Sequence, residues 1–254
     1  MKIILFICLF PLFVFGGGAI NFDGVDDYIR VDDIPFRLAN GSFSAWMKYF
    51  SYSTTYGAHI LSKDKAGYND DIYLGVSGAT SGLDRQLMFS IQASTTSSSH
   101  TIYTPEVFPL NEMVYVSATW GSDGMKLYMN GILADDDPYT GGIVSAGEDL
   151  LIGTQQLVSG RFVNGQIGEI LIYNTALSSE EIKAIYVSNG AWHPKAGLVS
   201  RWSMENNGVS TGQSHPNGST IKDSVGSNNG TIVDGSDNSM TLESSPTRKK
   251  RGRR

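Results

Sequence analysis

The chain has 254 residues, of which 41% are apolar, 11% aromatic and 17% charged; this supports a buried core and excludes a disordered polyelectrolyte. Its net charge of −6 hides an asymmetry: Arg248–Arg254 and Lys2 carry seven of the 19 basic residues, so residues 20–247 keep 12 against all 25 acidic ones, a net of −13. Such a body repels phosphate backbones, which excludes nucleic-acid binding through the folded domain and leaves only the tail for it.

Met1–Ala19 reads as a secretory signal. Lys2 is the positive start, Ile3–Phe15 the apolar stretch, and Gly17 and Ala19 the small residues of a cleavage site, so the mature chain is expected to begin at Ile20. An uncleaved membrane anchor is the alternative. The stretch is short for that and contains Pro11, and no later segment is apolar enough to span a bilayer. Cys8 is the only cysteine and lies in this signal, so the secreted chain would have no thiol for a disulfide, a nucleophile or a metal site.

From Ile20 onward short β runs alternate with Gly, Asn, Asp and Ser. The expected strands are Ile29–Val31, Ser42–Phe50, His59–Ser62, Ile72–Val76, Gln86–Gln92, Val114–Trp120, Met125–Met129, Ile132–Ala134, Leu150–Ile152 and Glu169–Tyr173. Ser94–Ser99 reads as a polar loop. Asn130-Gly131 is the strongest hairpin signal, because both turn residues must take positive φ. Asp135-Asp136-Asp137 reads as a solvated loop whose side chains diverge. One helix is marked: Ser178 caps it, Glu181 completes a capping box, Leu177 and Ile182 form a hydrophobic staple, and Asn189-Gly190 closes it. Trp192–Gly197 reads as a linker. Beyond it come strand-like Leu198–Ser203 and Asn228–Val233, then a polar stretch ending in the basic tail.

Several motifs together resemble laminin-G-like, concanavalin A-like jelly rolls. Ile20-Asn21-Phe22-Asp23-Gly24 to Ile29 is similar to their opening strand and Phe43–Lys48 to their next core strand. Trp120-x-Ser-Asp-Gly-x-Lys126-Leu127-Tyr128-x-Asn130-Gly131 resembles their central hairpin. Phe162-x-Asn-Gly165 through Tyr173, Leu177-Ser178 and Glu181-Ile182 resembles their closing signature, which pentraxins share. The resemblance covers about 20–190. Gly197–Met204 and Asp223–Ile232 also resemble family segments, but ones that usually precede the opening strand. They either complete the same sandwich by a permuted connection or begin a truncated second repeat; the first is favoured, since an unpaired lone strand invites aggregation.

The expected fold is therefore all-β, an antiparallel β-sandwich of the jelly-roll, concanavalin A-like lectin/glucanase type, with one short helix. Its expected divisions are a signal at 1–19, the jelly roll at 20–190, a completing segment at 191–235 and a disordered basic tail at 236–254.

Related β-glucanases carry Glu-x-Asp-x-x-Glu on one strand face to set acid beside nucleophile. No such run occurs here. Gly208-Val-Ser210-Thr-Gly212 matches a nucleophile-elbow pattern but lies in a polar stretch with no helix following. His59, His100, His193 and His215 have no metal spacing and read as surface or turn residues. The chain is thus expected not to be an enzyme. Arg248–Arg254 reads as a flexible cation, a dibasic processing site or an accident of the frame's end, and Asn40, Asn217 and Asn229 head glycosylation sequons.

Calcium is the candidate cofactor, since hard cations take carboxylate, amide and carbonyl oxygens. Asn69, Asp70 and Asp71 resemble the Asp-Asn ligand loop of pentraxins. Gln155 and Gln156 stand where that family supplies further, acidic ligands, so a full two-calcium site is not expected. Asp23, Asp26 and Asp27 form the alternative set, with turn chemistry as its rival reading. For carbohydrate, sugar CH faces stack on exposed rings. The loop aromatics Tyr52, Tyr56, Tyr68, Tyr139 and Trp192 are the candidates, whereas Trp46, Phe89, Trp120, Phe162 and Tyr173 are expected in the core. The resemblance and these rings imply a secreted, non-catalytic recognition module for a glycan or cell-surface ligand, with calcium as an accessory. A structural or adhesion protein using protein contacts is the alternative, a glycan-degrading enzyme is third, and the oligomeric state stays open.

Overall fold

The computed structural model describes residues 18–32, 39–52, 57–65, 69–78, 85–92, 99–143, 148–155, 161–205, 211–235 and 240–243. Most of the expected signal and Arg248–Arg254 lie outside them, whereas residues 240–243 of the stretch expected to be a disordered tail are described and include a strand, Leu242–Glu243, paired in a sheet. In chain order the elements are β1 (Ala19–Asp23), β2 (Tyr28–Val31), β3 (Gly41–Tyr49), β4 (Ala58–Lys65), β5 (Asn69–Val76), β6 (Gln86–Gln92), β7 (Ser99–Val107) and β8 (Val114–Gly121). They continue with β9 (Gly124–Met129), β10 (Ile132–Asp137), β11 (Leu150–Ile152), β12 (Asn164–Tyr173), α1 (Ser179–Val187), β13 (Leu198–Trp202), β14 (Thr220–Ile221), β15 (Gly230–Val233) and β16 (Leu242–Glu243).

Two antiparallel sheets form the expected sandwich. Sheet A runs β10-β9-β8-β3-β12-β1-β16, with β13 also on β12; sheet B runs β14-β15-β2-β11-β4-β5-β6-β7. Period-two alternation explains how they meet. Phe43, Ala45 and Met47 of β3 and Ile167, Ile170 and Ile172 of β12 point to the same core as Ile72 and Leu74 of β5 and Phe89 and Ile91 of β6. The rings assigned to the interior are buried: Trp46 5%, Phe89 0%, Trp120 1%, Phe162 8% and Tyr173 0% exposed. The β9–β10 hairpin turns on Asn130 and Gly131 at φ 53° and 75°, a twist that suits right-handed strands.

Helix α1 covers part of the outer face of sheet A. Ser178 Oγ accepts from the Glu181 amide, and the Glu181 carboxylate accepts from the Ser178 amide. Leu177, Ile182 and Ile185 pack on Trp46, Tyr115, Tyr128, Leu171 and Tyr173. After the helix the chain contributes to both sheets: β13 pairs with β12, β15 with β2, and β16 with β1. Asp223 organises this segment. Its Oδ1 accepts from the amides of Arg201 and Val225 and its Oδ2 from that of Asn228, while Trp202 Nε1 donates to the Asn228 carbonyl.

Three readings change. Strand β7 follows the Ser94–Ser99 stretch and was not expected; its mixed Ser-His-Thr-Ile-Tyr-Thr run hides one buried side in every two. The acidic triplet is not a solvated loop but the end of β10: Asp135 Oδ2 accepts from the Tyr103 amide at 3.0 Å, joining the β10 edge to β7. Three of the four histidines are not surface residues, for His59, His193 and His215 are 2%, 6% and 0% exposed, while His100 is partly exposed. A neutral imidazole packs as a small aromatic, and burial lowers all three pKa values.

Candidate functional site

The outer face of sheet B carries polar and aromatic side chains in the gaps between core positions. On β5 these are Asp71 and Tyr73, on β6 Ser90 and Gln92, and on β7 Thr101 and Tyr103, alternating with Ile72, Leu74, Phe89, Ile91 and Ile102 of the core. Register brings them into one strip, since Tyr73 lies opposite Ser90 and Ser90 opposite Thr101. The Ser90 and Thr101 hydroxyls are 2.8 Å apart. From β4, the His59 ring meets Tyr73 edge to face, with centroids 4.9 Å apart. Gly75 makes room for it, because a Cβ there would lie 2.6 Å from the Ala58 carbonyl and 3.0 Å from His59 Cδ2.

A polar relay borders the strip. Arg161 donates to Gln155 Oε1, and Gln155 Nε2 donates to Asp64 Oδ2 at 2.6 Å. Burial, with the nearby Arg161 charge acting in the same direction, pushes His59 down to about 3, so it is a neutral imidazole at ordinary pH. Burial raises the Tyr73 phenol. Tyr73, Thr101, Tyr103 and Gln92 are half-buried, and their rings, hydroxyls and amide are what this face offers a ligand. Asp71, by contrast, is 2% exposed, too deep for a carboxylate that must reach a glycosidic oxygen.

The residues singled out in the sequence scatter. Asp71 and Gln155 both belong to this face or its border. Asn69 and Asp70 open β5, and their side chains lie outside the described ones. Gln155 presents its amide oxygen to Arg161, a fixed cation where the calcium reading needs a ligand atom. Tyr56, Tyr68 and Gln156 lie outside the described residues. Tyr52 donates its hydroxyl to the Phe108 carbonyl and sits beneath the Arg85 guanidinium, 5.0 Å from its ring centre. Tyr139 stacks on His100 with centroids 4.0 Å apart. Trp192 is 48% exposed but follows α1, on the sheet A side. Thus the loop rings form no common platform among the described residues, and the strip was missed; alternating polar residues on β5 to β7 were its only signal.

The second acidic set does converge. Ligand oxygens of Asp23, Asp26 and Asp27 lie within 4.8 Å of one another. Turn chemistry is also present: Asp23 Oδ1 accepts from the Val25 amide at 2.7 Å and Asp27 Oδ2 from the Asp23 amide at 2.9 Å. Gly235 packs against Asp26 so closely that a Cβ would fall 1.9 Å from Oδ2. The donor set, three carboxylates beside a peptide, is of the hard-oxygen type that calcium takes.

Comparison with known proteins agrees on the architecture. The laminin G profile described as the concanavalin A-like lectin/glucanases superfamily matches residues 23–183. A Bacteroides ovatus protein named as a candidate for carbohydrate binding superposes with a TM-score of 0.66 at 18% identity over 90% of this chain; the chain spans 60% of its length. The heptameric SAP-like pentraxin of Limulus polyphemus gives 0.53 at 19% identity, over 69% of this chain and 84% of its own. Domain 4 of a GH43 extracellular arabinanase from Geobacillus stearothermophilus, in complex with arabinotriose, gives 0.53 at 16%, over 66% and 76%. No curated protein matches the chain in sequence.

Proposed function

The chain belongs to the concanavalin A-like lectin/glucanase superfamily, and from that premise we propose that it is a secreted, non-catalytic carbohydrate-binding module whose ligand lies across the outer face of sheet B. The observation that carries this reading is the strip of Tyr73, Thr101 and Tyr103 beside buried His59. It offers ring faces for sugar CH groups and hydroxyls for sugar hydroxyls. What two structural neighbours are said to bind supports it: carbohydrate for the Bacteroides ovatus protein and arabinotriose for the arabinanase domain. The non-catalytic part rests on the described carboxylates of this face, since Asp64 is held by Gln155 and Asp71 is buried.

The test is retention of the protein on a panel of immobilised polysaccharides. Tyr73→Ala should weaken binding by about tenfold or more, the loss of one stacked ring, while Trp192→Ala leaves it unchanged. The reverse pattern would return the site to the loops.

Calcium enters this reading as a structural ion at Asp23, Asp26 and Asp27, not as a ligand bridge on the strip. Calcium at a hundredfold excess over its Kd should then raise Tm by roughly 5–10 °C over a chelated sample, and Asp26→Asn should abolish the difference. Equal Tm values with calcium and with chelator would leave the triplet as turn chemistry alone.

A further inference from the structure

We infer that the outer face of sheet B selects an uncharged glycan and rejects polyanionic ones; this rests on the carbohydrate reading above and specifies its ligand class. The inference comes from how the charges of this face are disposed. Arg161 is the cation of the strip among the described residues, and it is set against a carboxylate. Gln155 ties it to Asp64 through both ends of one amide, while Asp71, on the same face along β5, is 2% exposed and out of a ligand's reach. Arg30, farther across the sheet on β2, has its own acid in Asp149 at 3.8 Å. Lys63 neighbours Asp64 in β4 but pairs with core residue Ile72 and is 3% exposed, out of a ligand's reach. His59, buried between Arg161 and Tyr73, adds no charge.

Among the described residues, what remains at the surface of the strip is neutral: the Tyr73 and Tyr103 rings, the Thr101 hydroxyl and the Gln92 amide. These groups match the CH faces and hydroxyls of an uncharged sugar without a desolvated ion on either side. A uronic-acid or sulfated polymer needs guanidinium or ammonium groups turned outward to replace its lost hydration. It would instead meet a guanidinium already tied through Gln155 to Asp64, on a body whose net charge between residues 20 and 247 is −13. Repulsion from that body acts over about a Debye length and strengthens the discrimination at low salt.

The experiment is affinity gel electrophoresis of the full chain through two sets of soluble polymers. One set is neutral (arabinan, xylan, mixed-linkage β-glucan, galactomannan) and the other anionic (polygalacturonate, alginate, carrageenan). Each is run at about 20 mM and about 300 mM NaCl, where the Debye length changes severalfold. At least one neutral polymer should retard the chain, by the same amount within about twofold at both salts, as contacts without net charge require. Gln92→Lys, an addition at a partly exposed position, should confer retardation by the anionic set at low salt. Retardation of the unmodified chain by anionic polymers alone, lost at high salt or on Arg161→Gln, would overturn the ligand class and leave the carbohydrate reading standing. Retardation by neither set would overturn both.

Discussion

Trp120→Ala should destabilise the fold by about 3–5 kcal/mol, the cost of emptying a large aromatic site that cannot collapse. Trp120 is 1% exposed and binds the two sheets together. Its ring lies 5.0 Å from that of Phe43 in sheet A, edge-on, and 6.0 Å from that of Phe89 in sheet B. Beneath it Gly41 leaves the space the indole fills, since a Cβ there would lie 2.3 Å from Trp120 Cζ2. The surrounding strands are hydrogen-bonded on both sides, so the backbone cannot close the void. Equilibrium urea unfolding of the two proteins measures the difference, and a loss below about 1 kcal/mol would mean that the sandwich does not depend on this bridge.

Acid should weaken the protein strongly, and His59 is the largest identifiable reason. The unfolded chain takes a proton on this residue below its ordinary pKa of 6.5, whereas the folded chain holds it neutral to about 3. Between those limits the unfolded state binds more protons, so stability falls as pH falls. The loss from His59 alone is about 2 kcal/mol by pH 5 and about 3 kcal/mol by pH 4. His193 and His215, both lowered by burial, act in the same direction. So does Asp223: burial raises it, but the amides of Arg201, Val225 and Gly226 more than reverse that, and its folded pKa is lowered. Glu169 opposes them, because burial raises it and Arg201, 2.7 Å away, only partly restores it. Unfolding free energies at pH 7 and pH 5 should therefore differ by at least 2 kcal/mol, and His59→Gln should remove most of that difference. An unchanged slope in the variant would place the acid sensitivity elsewhere.

The architecture was legible because its signals are local. Asn130-Gly131, the Ser178–Glu181 capping box and the alternation of β3, β8 and β12 each act within a few residues, and the structure follows them closely. The proposed binding face was less legible. Tyr73, Ser90, Thr101 and Tyr103 come from three strands, and only register brings them together. Their polar type also resembles that of any solvated strand face. Loop rings such as Tyr139 attract attention in a sequence for being aromatic in a polar run, yet the Tyr139 face is spent on His100. The buried histidines mislead for a similar reason, since residue type predicts exposure only on average and His59 owes its burial to Gly75, a residue sixteen positions away. Asp135 looked solvated because its partner, the Tyr103 amide, belongs to a strand the pattern did not disclose.

Amide hydrogen exchange, with and without a saturating neutral polysaccharide that the chain retains, tests the central claim most directly. Slowed exchange in β4 to β7, around His59, Tyr73, Ser90 and Tyr103, is the predicted footprint. Protection confined to the segment around Trp192 and α1, with sheet B unchanged, would contradict it.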